Sequence, residues 1–595
     1  MHKVILFHMI IASSVLTSIE ARAEDSILQR AMHDELARSM KELQLEDLER
    51  PYFISYHVHE LKSRSSSATF GSLLTSQKSR SRTLTVEVRV GDYALDNTNF
   101  RAFAFGGTGV VRMRGTSVGM PLEENYTELR RRIWLATDGA YKKALEDLAR
   151  KRAALQNKTR TEEISDFSRE APATEVDEMA PAVLDLDAME RRARHLSALF
   201  REIPDIHTSR VRCSGSNTTV HYINSEGSSF TRTSSLLAFT AVAATQAPDG
   251  MALQDFVAMY ARSTDGLPDD NELAARIGAL GQRLRKLRLA PVVERFTGPV
   301  IFSGQAATEL FNQGFVPFLL STRRALTDNP DYERFYPQKK ENPYMDRIGV
   351  RVLPDFLSVR AAPLTDVYKK RPLLGGYRVD DEGVPARHTR LVSQGVLETL
   401  LTTRTPVRGI ERSTGSRRGP GVAPSNILVE PEKGLSDEQL RKEFFKLIKR
   451  QKKEYGYIVT HIANPLYNLV EARDAYYVTD PSSGEIKVEN PIYVYRVYLD
   501  GRKELVRNAQ FAGIGAYTFK DIVQVSATHA VYTVPFRSQD DSSPFSGSLR
   551  GRPVLTSIVT PRMVLFEDIT LKPPTGEIAK APVSPHPFFA GRVTQ

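Results

Sequence analysis

Apolar residues in this chain first recur at helical spacing and then alternate. Ile27, Leu28, Met32, Leu36, Met40, Leu43 and Leu45 follow a period near 3.6 and predict a helix that ends before Pro51. Residues 52–60, 70–74 and 84–90 alternate instead, so an antiparallel meander is expected, joined by Ser/Arg-rich turns. Over 125–155 the stripe Ile133, Ala136, Ala140, Tyr141, Ala144, Leu145 and Leu148 predicts a long amphipathic helix. Residues 156–184, with Pro172, Pro181 and mixed charge, read as a linker or long surface loop. Helices over 185–201 and 271–288 then bracket strands near 209–212, 218–224 and 235–244.

The second half carries more strands than helices. Residues 299–302 predict a buried strand, followed after Gly304 by a helix over 306–317 that Pro317 should kink or end. Ser436 and Gln439 form a capping box opening a helix whose apolar face is Leu440, Phe444, Leu447 and Ile448. Strands are expected at 457–462, 476–479, 492–499, 522–533 and 558–568, with a hairpin turn at 480–485. The fold class is therefore α+β: an N-terminal α+β domain at 24–155 with antiparallel sheet and long helices, the linker at 156–184, a middle α+β segment at 185–290, and a mostly β C-terminal domain at 291–572. Pro-rich residues 573–595 read as a disordered tail.

Composition narrows the setting. The chain has 595 residues, 41% of them hydrophobic and 26% charged, which is enough apolar material for more than one core. Residues 1–23 place Lys3 before an apolar segment and end in Ala21-Arg22-Ala23, the pattern of a signal peptide cleaved before Glu24. That apolar segment is short for a membrane span and nothing later approaches the roughly 20 apolar residues that a spanning helix needs, so a periplasmic or secreted protein without a membrane span is expected after cleavage. Cys213 is the single cysteine, which excludes an intrachain disulfide and reads as a small buried hydrophobe. The net charge is +10, yet 81 basic and 71 acidic residues are interspersed without a basic stripe, so no nucleic-acid partner is expected.

His57 and His59 share one face of their strand, as period two requires, but no third ligand lies nearby, and a half-exposed strand edge is expected there. The most information lies between Pro372 and Pro431. Gly375-Gly376, Asp380-Asp381-Glu382-Gly383-Val384-Pro385 and Thr389 are followed by Gly395, Ser413-Thr414-Gly415, Arg418 and Ser425-Asn426. Gly383 supplies the positive φ that such a turn needs.

In order and spacing these elements resemble the C-terminal domain of the TldD/PmbA family of zinc metallopeptidases and their modulators, and Asn224-Ser225-Glu226-Gly227 resembles that family's hairpin turn. The resemblance implies a zinc helix just after the 299–302 strand, with a His-Glu pair, a second His about a turn later and an assisting Cys near the C-terminus. Here Asn312 and Gln313 stand at the His and Glu positions, and Val316 and Pro317 stand where the second His is expected. Cys213 lies far from the C-terminus. An amide is a weak zinc ligand and no general base at neutral pH, so no metal, no cofactor and no intact catalytic residue are expected at these degenerate positions.

Two alternatives stay open. His388, His461 and His529 are single histidines that a fold could gather as relocated zinc ligands, giving an active metallopeptidase. Asp380, Asp381 and Glu382 could form an acidic metal run, although structural use at a turn is favoured. The resemblance implies pairing of a zinc-free subunit with a zinc-bearing one, so a homodimer, or a heterodimer with a zinc-bearing paralogue, is expected, with a peptide or unfolded segment as partner. The leading reading is a non-catalytic peptidase partner, modulator or peptide-binding protein; a structural envelope protein is the third.

Overall fold

The computed structural model describes residues 26–101, 116–156, 163–323, 325–328, 342–467, 469, 488–536, 553–575 and 587–588. The expected signal peptide, the strand at 476–479, the turn at 480–485 and nearly all of the tail lie outside them. Ser26 caps α1 (Ile27–Glu42) through the reciprocal bonds of a capping box with Gln29. Four more helices follow: α2 (Tyr126–Gln156), α3 (Leu186–Ala198), α4 (Asp270–Arg288) and α5 (Gln305–Gly314). The last described helix, α6 (Asp437–Arg450), opens on the Ser436–Gln439 capping box and buries Leu440, Phe444, Leu447 and Ile448.

One seven-stranded sheet organises the N-terminal half. Its order is Thr116–Gly119, Ser72–Val90, Pro51–Thr69, Thr208–Asn224, Ser229–Gln246 and Thr174–Glu178, and Ala252–Ala261 also pairs with Ser229–Gln246. The segments 24–155 and 185–290 therefore share a sheet. Helices α1 and α2 cover Ile54, Tyr56, Val58, Leu84 and Val86, while α3 and α4 cover Val211, Cys213, Phe239 and Ala241. Burial pushes the Cys213 thiol up to about 12, as suits an inert core residue.

Two expectations fail here for the same reason. The Ser/Arg-rich stretches taken for turns are strand: Pro51–Thr69 and Ser72–Val90 pair along their whole length, and the chain reverses at Phe70 and Gly71, both at positive φ. Polar residues satisfy a ladder through their backbones, so Ser66 and Ser67 can be buried mid-sheet. Nor is Pro51–Thr69 an edge, since it is paired on both sides.

Within 163–184, residues 166–168 act as a buried strap and Thr174–Glu178 as an edge strand, while most of the remaining residues lie on the surface as expected. Asp166 is fully buried in an ion pair with Lys151, and Phe167 is clasped between two buried guanidiniums, Arg89 at 3.5 Å and Arg404 at 3.8 Å from its ring centre. Buried charges demand fixed partners, which is why a stretch of mixed charge is ordered here.

The C-terminal half is a sandwich of two mixed sheets. One runs Lys503–Val506, Pro491–Tyr498, Tyr455–Ile462, Phe296–Ser303, Met563–Lys572 and Gln510–Ala512, with Ile522–Val525 also on Met563–Lys572. The other runs Val396–Leu397, Thr389–Ser393, Leu357–Ala361, Ile427–Pro431, Val554–Pro561 and His529–Phe536. Helix α5 lies between the sheets, buried from Ala306 to Gly314, and α6 packs on the outer face of the first. Pro317 begins a short 3₁₀ turn, Val316–Leu319, so α5 stops before it. Among the described residues no helix is long and apolar enough to cross a membrane.

Truncating Phe167 to Ala is expected to cost about 3 kcal/mol of unfolding free energy, read by urea denaturation. A change under about 0.5 kcal/mol, as for a surface position, would show that residues 166–168 do not act as a strap.

Candidate functional site

Helix α5 begins at Gly304, whose φ of 62° lets the chain turn from the Phe296–Ser303 strand into the core. Within ten residues, apolar or small but for Gln305 at its start, it carries Glu309, Asn312 and Gln313. Spacings of three and four put all three on one face. A single oxygen of Glu309, Oε1, accepts from Asn312 Nδ2 at 3.1 Å, Gln313 Nε2 at 2.7 Å and Asn464 Nδ2 at 2.8 Å. Gln313 is further fixed by donating to the Ala463 carbonyl and accepting from the Glu489 amide. Glu309 Oε2 and Asn312 Oδ1 are buried with no hydrogen-bond partner.

This donor set does not fit zinc. The two amides at the degenerate positions turn their NH₂ groups, which cannot ligate a cation, towards a carboxylate. Imidazole and thiolate are missing from the cluster. What the arrangement builds is a buried acid held by neutral donors. Burial pushes Glu309 up to about 7, and the amides of Gln313, Asn312 and Asn464 with the Tyr532 hydroxyl hold back a larger rise.

The histidines proposed as relocated ligands lie in three different places. His388 lines an open pocket of about 610 Å³ with Arg387, Arg390, Glu398 and Arg412. His461 is half-buried edge-on to Tyr493, its ring centre 5.5 Å away, and desolvation lowers its pKa. His529 pairs with Pro561 at the sheet edge, where Lys369 Nζ lies 3.2 Å from its Nδ1. Among the described residues no group of three or more His, Cys, Asp or Glu is placed to hold a metal ion.

The acidic run is a docking device. Asp380 Oδ1 accepts from the amides of Glu382 and Val384, and its Oδ2 accepts from the Arg417 amide. Burial and the neighbouring Glu382 push the Asp380 carboxyl up. Asp381 bonds Arg232 at 2.5 Å and the Gly419 amide at 2.6 Å; burial raises its pKa, but Arg232 and His57 outweigh it and the net shift is downward. Glu382 accepts from the Arg404 amide and from Arg417. Gly383 has φ 77°, and a Cβ there would lie 2.8 Å from both Ser228 Cβ and Tyr222 Cε1. The turn thus presses on the N-terminal sheet, where Tyr222, Ser228 and Arg232 donate to the carbonyls of Glu382, Gly383 and Val379.

His57 sits on the face so contacted, opposite Tyr222 in the register and 6.2 Å from its ring. The expected edge is thus an interior strand paired on both sides, on which His57 and His59 are half-buried as expected; burial lowers His57 to about 4, and its Nε2 is buried without a hydrogen bond. Sequence reasoning singled out Asn312 and Gln313 but missed Glu309, Asn464 and Tyr532. A lone Glu three and four residues before two amides, in a helix otherwise fit for a core, was the available signal for the first. Nothing in the sequence marked the other two.

Because the folded pKa of Glu309 lies above the ordinary value of 4.5, the folded state keeps a proton that the unfolded chain has released between pH 4.5 and about 7. Stability therefore falls as pH rises through that window, by roughly 3 kcal/mol from this group. Glu309→Gln still offers an oxygen to the three amides and cannot ionise. It is expected to remove this part of the pH dependence and to unfold at higher temperature than the parent near pH 8; an unchanged profile would show that Glu309 is not a buried acid.

Residues 296–572 match the family model for the PmbA/TldA metallopeptidase C-terminal domain. No curated protein matches the chain. Three solved structures resemble it over most of their length. A proposed modulator of a DNA gyrase from Thermotoga maritima MSB8 has 16% identity, 87% of this chain and 96% of that one covered, and a TM-score of 0.55. TldE from Thermococcus kodakarensis has 14% identity, coverage of 91% and 100%, and a TM-score of 0.56. A proposed modulator of DNA gyrase from Bacteroides thetaiotaomicron VPI-5482 has 11% identity, coverage of 92% and 98%, and a TM-score of 0.53. Identities this low speak for the α+β fold alone, whereas the match over 296–572 identifies that C-terminal part of the chain as a PmbA/TldA metallopeptidase C-terminal domain.

Proposed function

We propose that this chain is a non-catalytic member of the TldD/PmbA family, exported by its first 23 residues, that binds peptide or unfolded segments or modulates a peptidase by pairing with it. The observation that carries the reading is the clamp of Asn312 and Gln313 on Glu309, with Asn464 as a third donor. A zinc peptidase needs side chains that ligate the ion as well as a base for its bound water, and this cluster sets amide donors around its one carboxyl, Glu309, where imidazoles would be needed. An extended peptide needs backbone hydrogen bonds and side-chain pockets to bind, and no metal.

Pairing follows the logic of a subunit that has lost chemistry and kept shape. Such a chain is useful beside one that retains a His-Glu helix, so a heterodimer with a zinc-bearing paralogue is the favoured assembly and a homodimer the alternative. A purely structural envelope role would bind no peptide.

The test is metal analysis and peptidase assay of the mature protein, alone and co-expressed with a paralogue that has the His-Glu helix. The expected result is far less than about one zinc per chain, no cleavage of an unfolded substrate such as casein by the chain alone, and co-purification with the paralogue. Stoichiometric zinc together with chelator-sensitive cleavage by the isolated chain would restore the metallopeptidase reading.

A further inference from the structure

The open pocket of about 610 Å³ that His388 lines is built entirely from the stretch between Arg387 and Thr414. Its volume falls among those of small-molecule sites, roughly 300–1,000 Å³. Backbone bonds that leave the charged groups free hold its walls. Thr402 and Thr414 exchange amide-to-hydroxyl bonds at 2.8 and 3.2 Å, and the Thr402 hydroxyl also donates to the Arg412 carbonyl at 3.2 Å. The turn Val407–Ile410 closes on itself by two backbone bonds, of 3.1 and 2.9 Å, with Gly409 at φ 77°. On the other side, strand Thr389–Ser393 is paired with both Leu357–Ala361 and Val396–Leu397. The space therefore exists before any ligand enters it.

Its lining is charged. Arg387, Arg390 and Arg412 stand there with His388, against the carboxylates of Glu398 and Glu411. Arg387 donates to the Ser413 carbonyl, which fixes it at the pocket. Arg390 lies 3.8 Å from Glu398, and at side-chain exposures of 68% and 41% so long a contact holds neither group. Among the described residues the Arg412 side chain makes no ion pair and no hydrogen bond. Carboxylates around the pocket are engaged elsewhere: Glu170 accepts from the Ser413 amide and the Ser168 hydroxyl, and Asp346 pairs with Arg408. Three guanidiniums therefore share one cavity with two carboxylates, and at least one of the three is uncommitted.

We propose that this pocket binds a small organic ligand by an oxyanion, a carboxylate or a phosphate, which Arg412 and Arg390 grip with Arg387 and His388 beside them. A planar guanidinium fork matches two oxygens of either group. Cationic side chains around a concave surface also concentrate their field on it and raise the local concentration of an anion. The volume exceeds what a bare ion would need, so the oxyanion is the head of a larger molecule. The pocket shares no residue with the α5 cluster, and its binding stands or falls apart from the peptide-binding reading.

The experiment is calorimetric titration of inorganic phosphate, N-acetylglycine and the neutral N-acetylglycinamide into the full mature protein. Ionic strength is held at about 20 mM, because salt screens exposed charges. The titrations are repeated with Arg412→Gln, Arg390→Gln and, as a control that removes the same charge from the exposed face of α6, Lys449→Gln. The expected result is one site per chain for phosphate, N-acetylglycine or both, with the amide at least about tenfold weaker. Phosphate alone assigns a phosphate ester, N-acetylglycine alone a carboxylate, and both the shared oxyanion. Arg412→Gln and Arg390→Gln should each weaken binding about tenfold or more. Lys449→Gln should leave it unchanged. Both arginines are exposed, so the melting temperature should stay at that of the parent. No binding of either anion, or equal binding of the amide, overturns the proposal. An equal loss in Lys449→Gln does so too, since it marks attraction to net charge and not to a site. Arginine variants that bind as tightly as the parent, or that lose binding only as they lose stability, likewise overturn it.

Discussion

The approach of one turn to one sheet sets the geometry of everything else. Asp380, Asp381 and Glu382 are spent on amides and arginines within and around their own turn, and this stiffens it enough to press Gly383 onto Tyr222 and Ser228. Because three sheet side chains donate to carbonyls of the turn, the two halves are held by directional bonds and not by apolar area alone. Arg404 extends the same seam, bonding Glu226 of the Asn224–Gly227 hairpin and the carbonyl of Ser168. Any space between sheet and sandwich is the space this seam leaves.

Within that frame the α5 cluster trades one kind of order for another. A metal would organise its surroundings by drawing ligands inward; here a protonatable carboxyl does so, with three amide donors converging on one oxygen. A buried polar network of this kind is rigid only while its members are satisfied. Two of its oxygens are not.

Much of the architecture could be read in advance. The six described helices announce themselves by apolar stripes and by capping residues, and Pro317 marks where α5 stops. What escaped was governed by partners remote in sequence. The strands through Ser63–Ser67 and Ser76–Arg82 are polar because their ladder needs only backbone groups, so no alternation betrays them. The strap at 166–168 looks like a loop until Lys151, Arg89 and Arg404 are placed around it. Asn312 and Gln313 were legible as departures from a motif, but the acid they hold was not, since its role depends on Asn464 and on burial that one sequence does not print.

The topology of the C-terminal sandwich has a consequence for how the chain is made. Strand Phe296–Ser303 finds one neighbour in Tyr455–Ile462 and the other in Met563–Lys572, and α5 is flanked on its far side by strands His529–Phe536 and Val554–Pro561. Contacts this distant in sequence close late. A nascent chain that has emerged through α5 therefore carries an apolar helix with no roof until nearly the last strand is synthesised. During that interval it depends on being kept from aggregation by something other than its own fold.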